Sequence, residues 1–595
     1  MRPANYSAAF CPAALLLGSF FVASAALGQK YEANWRSLDQ RSIPRWFNAA
    51  RFGVMVCWGP YCVPSYAPKG EYAEWYWNRV RSGKGPSYDF HVKNYGADYD
   101  YRRFGPMMRG EFFNPDDWAD LFARSGAKYV VMTANYHDGF CLWPSPYSAG
   151  WNAKDTGPKR DVLGEVTAAV RKRGLKMGIY YSLYEWYHPL WQSNRARYVN
   201  EHFLPQITDI VTKYSPAFIF ADGDWDMPDA KKWRSKQFLA WLYNESPCKD
   251  EVVVNDRWGG VGGKHGDIYE SEYGGGNFPP THPWQEDRGM GASYGYNRNE
   301  DIGDYNTLGQ LLQMLAKCAG NGGNLLLNVG PTADGRIPVI MQERLLQIGQ
   351  WLRSNGEAIY GTQHSPFWPR QLAWGACTQK PGKIFLHCYG SPPRRILLAG
   401  LCNEVKKAYW LADAARAVAF ERDANSDIAL SLPEHLPDPD VSVVVLEIEG
   451  PPQVDLSIRP QADGKIVLRA AEATIHGTSP RYESGGGKDN IGYWQDPKDY
   501  VTWDFKPRTP GVYRVDVVYS CQAGAEGSEF TVALADQSLS GRSKSTGEWS
   551  KFISEELGTL KIGKDSVYTL AVRPKAEPKW KVIGLQAVIL TPVKK

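Results

Sequence analysis

Between about residues 50 and 355, short apolar runs of strand character alternate with amphipathic helical patterns, and few folds accept that alternation. Strand-like runs fall at 52–58, 129–134, 177–182, 217–221, 252–255 and 324–329, with weaker ones at 268–273 and 292–296. Helical patterns lie between them. In 161–173, Val162, Val166, Ala169 and Val170 share one face, and Gly174 is placed to close the helix in the left-handed conformation. Met341, Leu345, Ile348 and Leu352 repeat the same periodicity ahead of Asn355-Gly356. Eight strands alternating with helices over about 300 residues predict an α/β chain with a (β/α)8-like barrel. A doubly wound sheet is the alternative. A nucleotide-binding version would carry a glycine-rich phosphate turn, and Gly259-Gly-Val-Gly-Gly-Lys264 lacks that spacing.

After residue 360 the pattern becomes short alternating strands, which predicts two all-β sandwich domains behind the barrel. The expected division is 29–360 for the barrel, 361–450 for a small sandwich and 453–595 for a second, with Gly450-Pro-Pro452 as linker. In the last unit Val501, Trp503 and Phe505 alternate inward, as do Tyr513, Val515, Val517 and Tyr519, then Ile583, Leu585, Ala587 and Ile589. Residues 1–28 read as a signal peptide: Arg2, an apolar run over 13–22 and small residues at Ala23-Ser-Ala25. That predicts a secreted or periplasmic protein, lysosomal if the source is a eukaryote. No segment is apolar enough for a membrane span.

A net charge of +4 on 595 residues is no electrostatic footprint for nucleic acid. Ten cysteines include Cys11 in the expected signal segment, and the nine that remain, an odd number at wide spacing, argue against a disulfide scaffold, while no Cys-x-x-Cys or His-x-x-x-His pair supports a zinc site. Aromatic residues make up 13% of the chain, which suits clefts that stack on flat faces such as sugar rings.

The chemistry lies at the strand ends. Cleaving a glycosidic bond needs two carboxyl groups flanking the anomeric carbon, one to attack or activate water and one to protonate the leaving oxygen. Carboxylates stand where barrel enzymes gather such groups: Glu74, Asp138, Asp222 at the end of an apolar run, and Glu270 and Glu272. Beside them lie Trp58, Trp75, Trp143, Tyr180, Trp225 and Arg257.

These residues belong to a series of motifs. They are Trp46-Phe-Asn-Ala-Ala-Arg-Phe-Gly53, Tyr72-Ala-Glu-Trp-Tyr76, His137-Asp-Gly-Phe140, Gly157-Pro-Lys-Arg-Asp161, Val254-Asn-Asp-Arg-Trp-Gly259, Tyr294-Gly-Tyr-Asn297 and Gly323-Asn-Leu-Leu-Leu-Asn-Val-Gly-Pro331. In this order they resemble the α-L-fucosidases of glycoside hydrolase family 29, from about Trp46 to Gly361. The resemblance implies a retaining mechanism on a fucosylated glycan or oligosaccharide, with Asp222 as nucleophile and no cofactor. It implies Glu272 as acid/base, with Glu286 and then Glu270 as alternatives. Glu74, His137, Tyr180 and Arg257 match the sugar-binding set, with Trp225, close behind the nucleophile, and Trp58 as further candidates. Cys57 and Tyr136 stand where relatives carry histidines, which points to altered sugar specificity, for instance toward an α-L-galactoside, or to a weak, glycan-binding barrel. The last domain loosely resembles carbohydrate-binding sandwiches, with Tyr493 and Trp494 as stacking candidates and Glu472 as a candidate ligand for a structural calcium ion.

Overall fold

Every residue of the runs at 52–56, 129–135 and 218–222 is buried, so these segments read as continuous apolar stretches rather than as alternating ones. They become inner strands of one parallel sheet. The computed structural model describes residues 30–593 apart from 261–264, 275–279, 371, 424–426, 462, 478, 486, 564–565 and 576–579. The expected signal segment 1–28 and most of the glycine-rich loop 259–264 lie outside the described residues.

The parallel strands are β1 (Phe52–Val56), β2 (Tyr129–Asn135), β3 (Lys176–Ser182), β4 (Phe218–Asp222), β5 (Val253–Val254), β6 (Tyr269–Glu272), β7 (Trp284–Gly289) and β8 (Asn324–Val329). They pair in the order β5-β4-β3-β2-β1-β8-β7-β6. The two ends of this sheet meet at a seam, where Asp267 N and Ile268 N donate to Val254 O at 3.1 and 3.2 Å. The expected strand at 292–296 does not form. Its place is taken by β7, whose polar Gln285, Glu286 and Asp287 mask its strand character.

The helix expected at 161–173 spans Val162–Lys172, capped by Asp161 Oδ1 accepting from Gly164 N at 2.9 Å. Gly174 follows with φ 74°, a conformation that disfavours any side chain. The helix Val339–Asn355 buries Met341, Leu345, Ile348 and Leu352, and Trp351 Nε1 donates to Val441 O at 2.8 Å. That bond ties the barrel to the antiparallel sheet formed by strands within 375–448, and Phe385, Val443 and Val445 of this sheet join the barrel's core cluster.

Strands within 466–592 form two further antiparallel sheets around a separate core. The inward alternation of 501–505 and 513–519 is as expected, but the last strand departs from it. Tyr519 pairs with Leu585 while Val518 pairs with Ala587, a bulge at Gln586. The extra residue flips the parity, so Val588 and Leu590 enter the core and Ile589 turns out of it. Trp494 is fully buried and donates to Asp499 O at 3.0 Å, so it offers no stacking face. Tyr493 is exposed, with the Arg481 guanidinium 3.7 Å from its ring centre.

Candidate active site

The C-terminal ends of the barrel strands surround a pocket of about 190 Å³, on the scale of a single sugar ring. Asp222 closes β4, Tyr180 lies on β3, Cys57 follows β1, and Tyr136 and His137 follow β2. Arg257 follows β5, and Glu272 ends β6 beside Asp287 of β7. Glu74 and Trp75 enter from the short 3-10 turn Ala73–Trp75, and Trp225 from the turn Asp224–Asp226.

Asp222 is gripped from two sides. Tyr180 donates to its Oδ2 and Arg257 Nη1 to its Oδ1, each at 2.5 Å. The same guanidinium reaches Glu272 Oε2 through Nη2 at 2.9 Å, and Tyr72 donates to Glu272 Oε1 at 3.1 Å. One planar fork therefore spans both carboxyl groups. Burial works against the Arg257 charge. The carboxylates of Asp222, Asp287, Glu272 and Glu270 outweigh it and hold the guanidinium protonated, above its ordinary range. The two carboxyls differ in access: the Asp222 side chain is 9% exposed and that of Glu272 33%.

His137 presents a lone pair to the pocket. Ser182 Oγ donates its only proton to Tyr184 O, so His137 Nδ1 must donate to Ser182 Oγ, at 2.6 Å. That leaves Nε2 as an acceptor, 3.5 Å from Asp222 Oδ2 and with no hydrogen-bond partner among the described residues. Burial pushes His137 down to about 4, despite the opposing pull of Asp222, so the ring is neutral near pH 7. Glu74 is similar. Its Oε2 accepts from Gly295 N at 2.8 Å and Ser293 Oγ at 3.1 Å, while its buried Oε1 has no partner among the described residues. Two unpartnered polar atoms lining one small pocket, the His137 lone pair and a Glu74 oxygen that accepts when ionised and donates when protonated, call for a ligand that brings hydroxyls.

Burial pushes the Glu74 carboxyl up from 4.5 to about 7. The folded protein thus binds this proton more tightly than the unfolded chain, and the stability it contributes is lost as pH rises through 7. Glu74→Gln is expected to raise stability above pH 7 by about 1–3 kcal/mol over the unmodified protein, and to give no gain at pH 4. Urea unfolding at the two pH values checks this, and an equal gain at both would refute it.

Strand parity sorts the acidic residues of β6 and β7. Glu270, Glu272 and Asp287 point inward, whereas Ser271 and Glu286 share the other face, where Ser271 Oγ donates to Glu286 Oε2 at 2.6 Å. Glu286 is buried but does not line the pocket, so its placement does not fit the alternative acid/base role. Glu270 also lies off the pocket wall, against Asp287. Burial first, and for Glu270 the neighbouring Asp287 carboxylate next, push both acids up, Asp287 to about 7.

Trp58 is a second correction. It is fully buried against Phe113 and Trp118 and donates to Thr332 O at 2.9 Å, so it supports the β1 loop and does not reach a ligand. Asp287, Tyr72 and Tyr294 also line the pocket, and the sequence pattern does not mark them as site residues. A strand expected at 292–296 hides the parity that aims Asp287 inward. Cys57 lies on the floor, its Sγ 3.1 Å from the Tyr61 hydroxyl, and burial followed by the Glu74 charge keeps it a thiol. The Tyr136 hydroxyl bonds to none of the described residues.

Among the described residues one group gathers three potential metal ligands, Glu185, His188 and His202, and His202 Nε2 there bonds Glu185 Oε1 at 2.7 Å. It lies outside the pocket wall. Glu472 faces the Arg370 guanidinium and, among the described residues, belongs to no such group. All nine cysteines of the described chain are free, Cys57 and Cys62 included.

A pocket with unpartnered polar atoms, beside two carboxyls bridged by one guanidinium, suits bond cleavage at an anomeric carbon: the chain is a glycoside hydrolase. The family model described as "Alpha-L-fucosidase" matches residues 19–357, and the chain belongs to that family. It is 45% identical over 347 residues to the tissue α-L-fucosidase of Bos taurus, spanning 56% of this chain and 72% of that one. It is 46% identical over 359 residues to the plasma α-L-fucosidase of Rattus norvegicus, spanning 58% and 76%. The solved Thermotoga maritima α-fucosidase aligns with a TM-score of 0.60 at 34% identity, over 70% of this chain and all of that one. A Vibrio α-L-fucosidase structure extends the likeness of fold to 92% of this chain, with a TM-score of 0.65 at 22% identity.

Proposed function

We propose that the protein is an exo-acting, retaining α-L-fucosidase that releases terminal fucose from glycans, with Asp222 as nucleophile and Glu272 as acid/base. The Arg257 bridge carries this reading. Retention needs the two carboxyls about 5–5.5 Å apart, and a single guanidinium bonded to one oxygen of each supports such a spacing. In the first step an Asp222 oxygen attacks the anomeric carbon as the bond to the leaving oxygen breaks and Glu272 gives that oxygen its proton. In the second, Glu272 takes a proton from water, whose oxygen attacks the same carbon and frees Asp222. Negative charge thus passes from Asp222 to Glu272 and back while Arg257 stays bonded to both, so its attraction is not lost at either stage. The buried member attacks, and the half-open one meets leaving group and water.

The unpartnered atoms of His137 and Glu74, with Tyr180 and the Tyr136 hydroxyl, would hold the sugar's hydroxyls. Cys57 and Tyr136 favour a second reading on the same chemistry, a related sugar such as an α-L-galactoside. Turnover of nitrophenyl glycosides separates the two. Release from the α-L-fucoside is expected to exceed that from the α-L-galactoside, and release from neither, with sugar binding retained, would refute the enzyme reading. The apolar leader supports export to a secreted or lysosomal location, and no described helix is long and apolar enough to cross a membrane. The three separate core clusters support the division into barrel, 361–450 and 453–595.

A further inference from the structure

An open groove of about 570 Å³, three times the pocket's volume, adjoins it, and the two cavities share Trp75 and Trp225. These indoles lie nearly parallel, 20° between planes and 6.5 Å between centroids. Trp225 is 46% exposed, an exposure that packing does not explain. Its turn is nevertheless fixed at both ends. Asp224 Oδ2 accepts from Gly259 N at 2.8 Å. On the other side Arg195 donates to Asp226 O at 2.8 Å and to Asp226 Oδ2 at 2.9 Å, while lying over the Trp191 ring. An exposed indole already held in place loses little freedom when a flat apolar face settles on it. At the groove's rim the Arg81 guanidinium lies 3.8 Å from the Tyr187 ring centre and forms no ion pair among the described residues, so its edge can donate to hydroxyls. Asn78 lines the same side.

We propose that this groove is the binding site for the leaving-group saccharide, a neutral chain whose first pyranose ring stacks on Trp225 and whose further hydroxyls meet Asn78 and Arg81. The proposal rests on the pocket holding fucose. The groove's size and open end suit more than one additional ring, and the two walls it shares with the pocket, Trp75 and Trp225, favour the rest of the same substrate as its occupant.

Asn78→Trp fills the groove and Arg81→Ala removes its donor, and neither side chain lines the pocket. With a neutral tetrasaccharide bearing one terminal α-fucose, Asn78→Trp is expected to lower kcat/KM about tenfold and Arg81→Ala about threefold, chiefly through KM. Turnover of nitrophenyl α-L-fucoside stays within about twofold. Equal losses on both substrates, or none on the tetrasaccharide, would overturn the proposal. The defucosylated trisaccharide gives a test independent of turnover. It is expected to perturb tryptophan fluorescence of the unmodified protein and to bind at least about tenfold more weakly to Asn78→Trp. Unchanged binding overturns the groove assignment, whereas saccharide binding without aryl-fucoside turnover overturns the catalytic reading alone.

Discussion

Asp222→Gly is expected to lower kcat on nitrophenyl α-L-fucoside by about a thousandfold or more, with azide restoring part of the loss. The carboxylate is the group at the end of β4 that a bound anomeric carbon would face, and it is positioned by Tyr180 and Arg257 at 2.5 Å each. Removing it deletes the attacking oxygen but leaves both donors in place. A small anion fits the space between them, and its nitrogen can attack the anomeric carbon, displacing the nitrophenolate and giving a fucosyl azide of inverted configuration. Product analysis by NMR reads this directly. Near-normal rates in the glycine variant would remove Asp222 from the nucleophile role, and Asp224, bonded to Gly259 N, would be the next residue to test.

The second large effect is expected from Glu272→Ala, and it depends on the leaving group. A nitrophenolate departs without a proton, so its kcat/KM falls only about tenfold. A sugar or alkyl leaving group needs the proton and loses about a hundredfold to ten-thousandfold. The pH profile of the variant should also lose its limb on the alkaline side, where the unmodified enzyme needs the acid protonated. Glu286→Ala provides the control, because Glu286 faces Ser271 on the other side of the strand. If Glu286→Ala reproduces the leaving-group dependence and Glu272→Ala does not, the assignment is wrong.

Much of this site can be read from the chain, and the parts that cannot share one cause. Asp222 is legible because four buried apolar residues precede it and the left-handed Gly223, φ 89°, ends the strand. The helix at 162–172 is legible through its Asp161 cap and its apolar periodicity. β7 is not, since a barrel strand that carries Gln285, Glu286 and Asp287 has exchanged its apolar signal for chemistry. Misplacing it hides the inward aim of Asp287 and leaves the outward aim of Glu286 undecided. Trp58 illustrates the opposite difficulty: a tryptophan beside the first strand end reads as a ligand platform, and only three-dimensional packing turns it into a buried support. The bulge at Gln586 likewise reverses the parity of Val588 and Leu590, and a lone Gly584 two residues earlier does not say where the extra residue falls.

The seam between β5 and β6 has a consequence for how such an enzyme is tuned. Asp222 and Glu272 stand on either side of it, with the two-residue β5 between them, and a few bonds link the edges: Val254 O accepts from Asp267 N and Ile268 N, Val254 N donates to Asp267 Oδ2 and Glu270 N to Asp256 Oδ1. No continuous ladder dictates the distance across. Arg257 braces this joint near the pocket, bonding one carboxyl on each side of it. Substitutions around Arg257 therefore act on the spacing of the two carboxyls, the quantity on which a retaining reaction depends.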